Sequence, residues 1–291
     1  MIDNIKFNKV AIVTKNNNKY VLSLINKLYK QIKKNYKVYL EKYMAKKLSI
    51  DYRNYYSFNE IIKICDIALV VGGDGSFLNI SRKLSIINNI PIVGINKGKL
   101  GFLTDINPKK ISEQLFGILK GNFLKEKRMM LEANLSKNIV ALNEIVISTE
   151  NFNKLFQIDI YINKLYAYTQ RSNGIIISTP TGSTAHALSA GGSIIHPNTH
   201  AIILTPILSH SLSSRPLIID SNNLIEIKIN KKNCNTKSIL IFDGNKRIIS
   251  KNRKTIKIKK YKKDITILHP VDYNYFSMLR SKLYWEKNLC I

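Results

Sequence analysis

The first third of the chain alternates short apolar runs with stretches of helical periodicity. VAIV at 10–13 has the length and branching of a strand, and Val21, Leu24, Ile25, Leu28 and Ile32 then draw one apolar stripe at i, i+3, i+4, i+7 and i+11. YKVYL at 36–40 is a second strand, IIKIC at 61–65 closes a helix, and IALVV at 67–71 is an unbroken run suited to a strand buried on both faces. Phe77, Ile80, Leu84 and Ile87 return to helical spacing, and IPIVGIN at 90–96 is another buried strand. Strands alternating with helices predict an α/β layer around a mainly parallel sheet.

Past about residue 123 the pattern changes. EIVIST, FQIDIYI, NGIIIST, AIILTPI, LIEIKIN, SILIFDG and TIKIKK are short, β-branched and often alternating, with turn residues between them. We therefore expect an α/β domain at 1–122 and a β-rich domain at 123–271. The tail at 272–291, whose aromatic and leucine residues fall near helical spacing, is expected to pack back on the first domain.

Charge changes this picture little. The 46 Lys and Arg against 19 Asp and Glu give +27, which attracts polyanions in general. The lysines are strewn among Asn, Ile and Tyr, as biased nucleotide composition produces, and KIKKYKK at 257–263 reads as a strand with alternate lysines on a wet face. With no RNP-like aromatic motif and no Cys/His finger, neither nucleic acid nor membrane is expected as a partner. Cys65, Cys234 and Cys290 are isolated and lack CxxC spacing, and the N-terminal stretch lacks the pattern of a signal peptide, so a reducing cytoplasm is expected.

Candidate chemistry lies in the glycines. Ten of the 13 fall in three stretches (72–75, 94–101 and 174–192), and the first two follow buried strands, beyond whose carboxyl ends ligands of open parallel sheets bind. GGDG at 72–75 has neither the lysine of a P-loop nor the spacing of a dinucleotide fingerprint. Gly72, Gly73 and Gly75 offer bare N–H groups at a helix start, which suit an oligophosphate. Asp74 among them would repel phosphate unless it binds a divalent cation or takes a proton from a hydroxyl attacking phosphorus. Read alone, the loop serves equally as a tight turn. QRSNGIIISTPTGSTAHALSAGG at 170–192 sets Thr179, Thr181, Ser183 and Thr184 before a helix-like segment, hydroxyls that can hold ribose or phosphate oxygens. No GxSxG elbow surrounds Ser183, so it is not read as a nucleophile. Asn143 and Glu144 head a strand with groups able to bind base or ribose. His196 and His200 read as turn residues, and His210 and His269 as surface or packing residues.

Together, GGDG (72–75), GINKGKLGFLTD (94–105), LNE (142–144) and the segment 170–192 resemble the NAD kinase family, and the likeness runs on through HPVDYNYFSMLRSKLYW. GGDG by itself is shared with lipid kinases of related fold, so a diacylglycerol-type kinase is the alternative. The resemblance implies an α/β domain followed by a β-rich one and a homo-oligomer, dimer or tetramer. It implies ATP and NAD as substrates with a divalent cation such as Mg2+, and transfer of the γ-phosphoryl to the 2′-hydroxyl of the adenosine ribose. It makes Asp74 the base, with Gly75 beside it. Asp74, Gly75, Asn143, Glu144, Arg171 and the run Thr184, Ala185, His186, Ala187, Leu188 and Ser189 fall at NAD-binding positions, as do Lys154, Asn173 and Asn245. Three residues depart from the family pattern: Asn173 stands in place of Asp, His186 in place of Tyr, and Asn245 in place of Gln or Ser.

Overall fold

The computed structural model describes residues 7–50, 56–98, 101–135, 139–150, 155–230, 238–249 and 255–284. They form two compact units, one running up to Lys127 and resuming at Ile265, the other Arg128–Asp264.

The first unit holds β1 (Lys9–Val13), α1 (Lys19–Ile32), β2 (Lys37–Leu40), α2 (Lys42–Lys47), α3 (Phe58–Ile64), β3 (Ile67–Gly72), α4 (Asp74–Ile87), β4 (Ile92–Asn96), α5 (Ile111–Leu119) and β5 (Leu124–Arg128). α1 begins where Asn18 accepts a hydrogen bond from Val21 N at 2.8 Å, and its buried residues are the five of the apolar stripe. α3 opens on a capping box between Ser57 and Glu60. All six residues of β3 and all five of β4 are buried, as their unbroken apolar runs require. Parallel pairing joins β2 to β1, β1 to β3 and β3 to β4, in line with the expected mainly parallel sheet.

The second unit contains β6 (Leu131–Ala133), β7 (Ile139–Ala141), β8 (Glu144–Thr149), β9 (Phe156–Ile162), β10 (Leu165–Ser172), β11 (Gly174–Ser178), the short helix α6 (His186–Ser189), β12 (Ala201–Ile207), β13 (Leu217–Asp220), β14 (Ile225–Asn230), β15 (Ser238–Phe242), β16 (Asn245–Ile248) and β17 (Thr255–Lys260). They make two antiparallel sheets, in the orders β10-β9-β14-β17-β6-β7 and β13-β12-β11-β8-β15-β16. The alternating sequences behave as half-buried strands. In β17, Ile256 and Ile258 are buried while Lys257 and Lys259 face solvent beside Glu226 and Glu132 at 3.2 and 3.4 Å. Each isoleucine so buried stabilises by about 1.5–3 kcal/mol, whereas such surface ion pairs give about 0–1 kcal/mol, so the apolar face sets the register.

The chain then returns to the first unit with β18 (Ile265–His269) and α7 (Tyr275–Leu283). β18 runs parallel to β4 and completes the sheet order β2-β1-β3-β4-β18-β5. No helix among the described residues is long and apolar enough to cross a membrane.

Candidate active site

In the first unit the GGDG segment carries the chain from β3 into α4. Gly73 is the N-cap and its carbonyl accepts from Ser76 N and Phe77 N, so Asp74 and Gly75 open the first turn of the helix. A side-chain carbon built on Gly73 or on Gly75 would meet nothing within 4 Å, so the space beside both residues is open at a helix start, where anions are favoured.

Asp74, half-buried, does not simply close a turn. Its Oδ2 accepts from Phe102 N at 2.8 Å, and its Oδ1 accepts from Leu103 N and from Thr104 Oγ1, each at 3.1 Å. A carboxylate has about four acceptor sites. Three are filled among the described residues, and the one remaining is on Oδ2. The loop that supplies these donors is itself pinned: Asn96 Nδ2 donates to Thr104 Oγ1 at 2.8 Å, and Asn96 Oδ1 accepts from Gly98 N at 2.8 Å. Thr104 thus accepts from Asn96 and passes its own proton toward Asp74. Gly101 is glycine because any side chain there would collide with the Asp74 carboxylate.

In the second unit a separate cluster gathers around the head of β8. Asp243, from the turn after β15, accepts through its carboxylate from Leu142 N at 2.9 Å, Asn143 N at 2.8 Å and Glu144 N at 3.2 Å. The segment after β11 grips the same residues from the other side, with Thr179 N on Asn143 O at 2.9 Å and Thr179 Oγ1 on Leu142 O at 2.6 Å. Gly182 passes so close to the Asn143 carbonyl that a side chain would overlap it. Glu144 is buried, and its Oε1 lies 2.8 Å from Nδ1 of the largely exposed His186. Burial pushes the Glu144 carboxyl above the ordinary glutamate value, and the His186 bond, pulling the other way, offsets only part of this. Two buried acceptors here, Asn143 Oδ1 and Glu144 Oε2, have no hydrogen-bond partner among the described residues. Buried polar atoms are ordinarily satisfied, which singles these two acceptors out as candidates for a ligand's donors.

The remaining sequence candidates take varied places. Thr184, Ala185 and Leu188 are half-buried, Ala187 is buried, and Ser189 is exposed, all within or beside α6. Arg171 is exposed on β10, and Asn173 is buried with its N–H on Ile207 O at 3.0 Å. Asn245 spends its amide on the carbonyls of Phe242 and Asp243, holding the turn that carries Asp243. Lys154 lies outside the described residues. Ser183 is fully buried and its hydroxyl binds Pro180 O at 2.6 Å, in keeping with a structural role, and His196 and His200 are exposed. Of the two places expected for His269, surface or packing, it takes the packed one, with charged partners: its ring is 1% exposed and lies between two carboxylates, Asp105 and Glu126. Thr104, Asn96 and Asp243 also serve these clusters; all three stand inside the motifs GINKGKLGFLTD and SILIFDG, but nothing local says whose N–H groups or carboxylate they serve.

Comparison with known proteins settles the lineage. Residues 10–123 match the model of the ATP-NAD kinase N-terminal domain and 142–269 that of the ATP-NAD kinase C-terminal domain. An NAD kinase of Francisella tularensis subsp. tularensis is 42% identical over 98% of this chain and 99% of its own. The chain belongs to the NAD kinase family. Another member, from Wigglesworthia glossinidia brevipalpis, is 43% identical over 91% of each chain. Among solved structures, an Archaeoglobus fulgidus NAD kinase in complex with ATP aligns over 94% of this chain and 99% of its own, with a TM-score of 0.74 and 25% identity. Yeast NADH kinase complexed with NADH aligns over 97% of this chain and 89% of its own, with a TM-score of 0.87 and 24% identity, a likeness of fold. The NAD kinase α/β domain thus carries the Asp74 cradle, and the β-rich domain carries the Asn143–Glu144 cluster.

Proposed function

We propose that this chain transfers the γ-phosphoryl group of ATP to the 2′-hydroxyl of the adenosine ribose of NAD, making NADP and ADP. The observation that carries the reading, beside the family, is the Asp74 carboxylate: among the described residues three donors fix its orientation and one acceptor site on Oδ2 stays open. In the reaction the ribose 2′-oxygen forms a bond to the γ-phosphorus, the bond from that phosphorus to the β,γ-bridging oxygen breaks, and ADP leaves. The hydroxyl proton goes to Asp74 Oδ2. Phosphoryl transfer needs little covalent help from a protein, so positioning and charge neutralisation supply most of the acceleration.

The N–H groups at Gly72, Gly73 and Gly75 are assigned to the phosphates of ATP. Asn143 and Glu144, each with a buried oxygen that no described residue partners, are assigned to donors of NAD such as ribose hydroxyls or the base amine. Arg171, Asn173, the run from Thr184 to Ser189 and Asn245 complete the NAD-binding set in this reading, with Lys154 held by resemblance. Among the described residues no three His, Cys, Asp or Glu side chains converge as a cation site. Mg2+ is commonly held by substrate phosphates with one or two carboxylates, so the divalent cation is taken to arrive with ATP as part of that substrate. A cytoplasmic homo-oligomer, dimer or tetramer, belongs to the same proposal, and sedimentation of the purified chain tests the assembly.

The decisive assay incubates the protein with ATP and Mg2+ and either NAD or diacylglycerol. ADP release that depends on NAD supports the reading. Turnover with diacylglycerol alone replaces it with the lipid kinase alternative, and binding to DNA without turnover in either arm removes the enzyme reading altogether.

A further inference from the structure

Directly after Thr104, the residue that donates to Asp74, comes Asp105, and its side chain turns to a buried ionic cluster in the same unit. His269, the last residue of β18, holds Nδ1 at 2.7 Å from Asp105 Oδ2 and Nε2 at 2.9 Å from Glu126 Oε2. Its ring stacks on Tyr273 at 3.9 Å with an interplanar angle of 11°. A neutral imidazole donates from one nitrogen only, so two carboxylates facing both nitrogens at hydrogen-bond distance call for the imidazolium. Burial by itself would push the ring toward neutrality, but the hydrogen bonds and charges of Asp105 and Glu126 prevail and hold it above its ordinary value.

The groups that face the ring come from three elements: Asp105 from the loop after β4, Glu126 from β5, and Tyr273 from the turn after β18. On its own strand Ile265, Ile267 and Leu268 are buried and apolar. The carboxylate of Asp272 is engaged by Gln114 Nε2 at 3.2–3.3 Å, and Lys125 and Lys127, flanking Glu126 on β5, are exposed.

The geometry ties this cluster to Asp74 through one short segment. Phe102, Leu103 and Thr104 donate to Asp74, while Ile106 is locked to the β4 backbone through Ile106 N on Gly94 O at 3.1 Å and Asn96 N on Ile106 O at 3.0 Å. Asp105 lies between these attachments. We infer that His269 is a positioning residue for phosphoryl transfer: by bridging Asp105 and Glu126 it fixes the 101–106 segment, and so the donors that aim the Asp74 carboxylate. The inference rests on the reading of Asp74 as the base. His269 does not touch the reacting atoms in this account.

The test combines kinetics with a direct observation of the ring. On the wild-type protein, 15N NMR of histidine should find both His269 ring nitrogens protonated at neutral pH, with the signal assigned by its loss in His269→Gln. A single protonated nitrogen overturns the inference. His269→Gln, which can donate to only one of the two carboxylates, should lower kcat about ten- to a hundredfold while the KM values for NAD and ATP stay within about twofold, as misplacement of a reacting group does. Since the proton on His269 is held by two negative charges, wild-type kcat should fall as pH rises through the ring's elevated value. Glu126→Gln removes one of those charges, and the alkaline limb should move to lower pH. A purely structural role would lower the melting temperature of these variants and leave kcat and the limb unmoved, which would overturn the inference. Should His269→Gln fail to fold, Glu126→Gln, nearly the same in shape, carries the pH test by itself. Wild-type protein that makes no NADP would instead remove the reading of Asp74, while the NMR result would still report on the cluster.

Discussion

Replacing Asp74 by Asn separates the two jobs assigned to that side chain. The amide keeps one acceptor oxygen and swaps the other for an NH2 group. The orientation that preserves more of the cradle leaves the amide oxygen at the Oδ1 place, where Leu103 N and Thr104 Oγ1 donate at 3.1 Å, and turns the NH2 group toward Phe102 N, which donated at 2.8 Å. One backbone N–H then loses its partner, which costs about 1–3 kcal/mol, toward the low end because the site is only half-buried. For a chain of this size that lowers the melting temperature by about 2–4 °C per kcal/mol, so the variant remains folded at assay temperature. Catalysis suffers far more. Without an acceptor for the hydroxyl proton, general-base assistance worth about 10²–10⁴-fold disappears, or roughly 3–5 kcal/mol of barrier. The assay is steady-state NADP formation beside a thermal melt of the same preparation. Asp74→Asn should be folded, should bind NAD with near-native KM, and should turn over at least a hundredfold more slowly. A variant with more than half of wild-type kcat would refute the base assignment. A loss of turnover matched by unfolding would show that the carboxylate serves the loop alone.

Further outcomes follow from the same geometry. Thr104→Val removes one of the two donors on Asp74 Oδ1 and the 2.8 Å acceptor of Asn96 Nδ2, so kcat should drop about tenfold with stability lower by about 1–3 kcal/mol, read by kinetics and denaturant melts. Asp243→Asn cannot serve three N–H groups as its carboxylate does, and the Asn143–Glu144 backbone should loosen. The KM for NAD should rise roughly ten- to a hundredfold while the KM for ATP is unchanged, the scale of a charged hydrogen bond lost. His186→Ala removes the bond that partly counters the effect of burial on Glu144. The carboxyl should then hold its proton to a still higher pH, so the acid limb of NAD affinity should move upward in pH, and titration calorimetry across the acid range checks it. The opposite shift would mean that the His186–Glu144 contact does not govern this carboxyl.

Much of the fold was legible because burial imposes periods on the sequence. The stripe from Val21 to Ile32 and the unbroken runs of β3 and β4 are buried where the pattern places them. α5 escaped notice although Ile111, Leu115, Ile118 and Leu119 are buried at helical spacing, because Lys110 before it supplies no side-chain cap to mark the start. At the site, glycines and hydroxyls announced themselves, since close backbone approach leaves few residue choices. What sequence could not reveal was pairing across distance. Asp105 and His269 stand 164 residues apart, and Asp243 reaches back 100 residues to Asn143. His269 followed by proline reads only as a surface or packing residue until β18 carries it into the first sheet beside β5. Nothing in its neighbours along the chain records the two carboxylates that meet it.

The product shows most directly whether this chain phosphorylates NAD. Purified wild-type protein, given ATP, Mg2+ and NAD, should form NADP in one-to-one proportion with ADP, and 31P NMR should find the new phosphate on the adenosine 2′-oxygen. ADP release without NADP, or a phosphate on any other oxygen, would contradict the account.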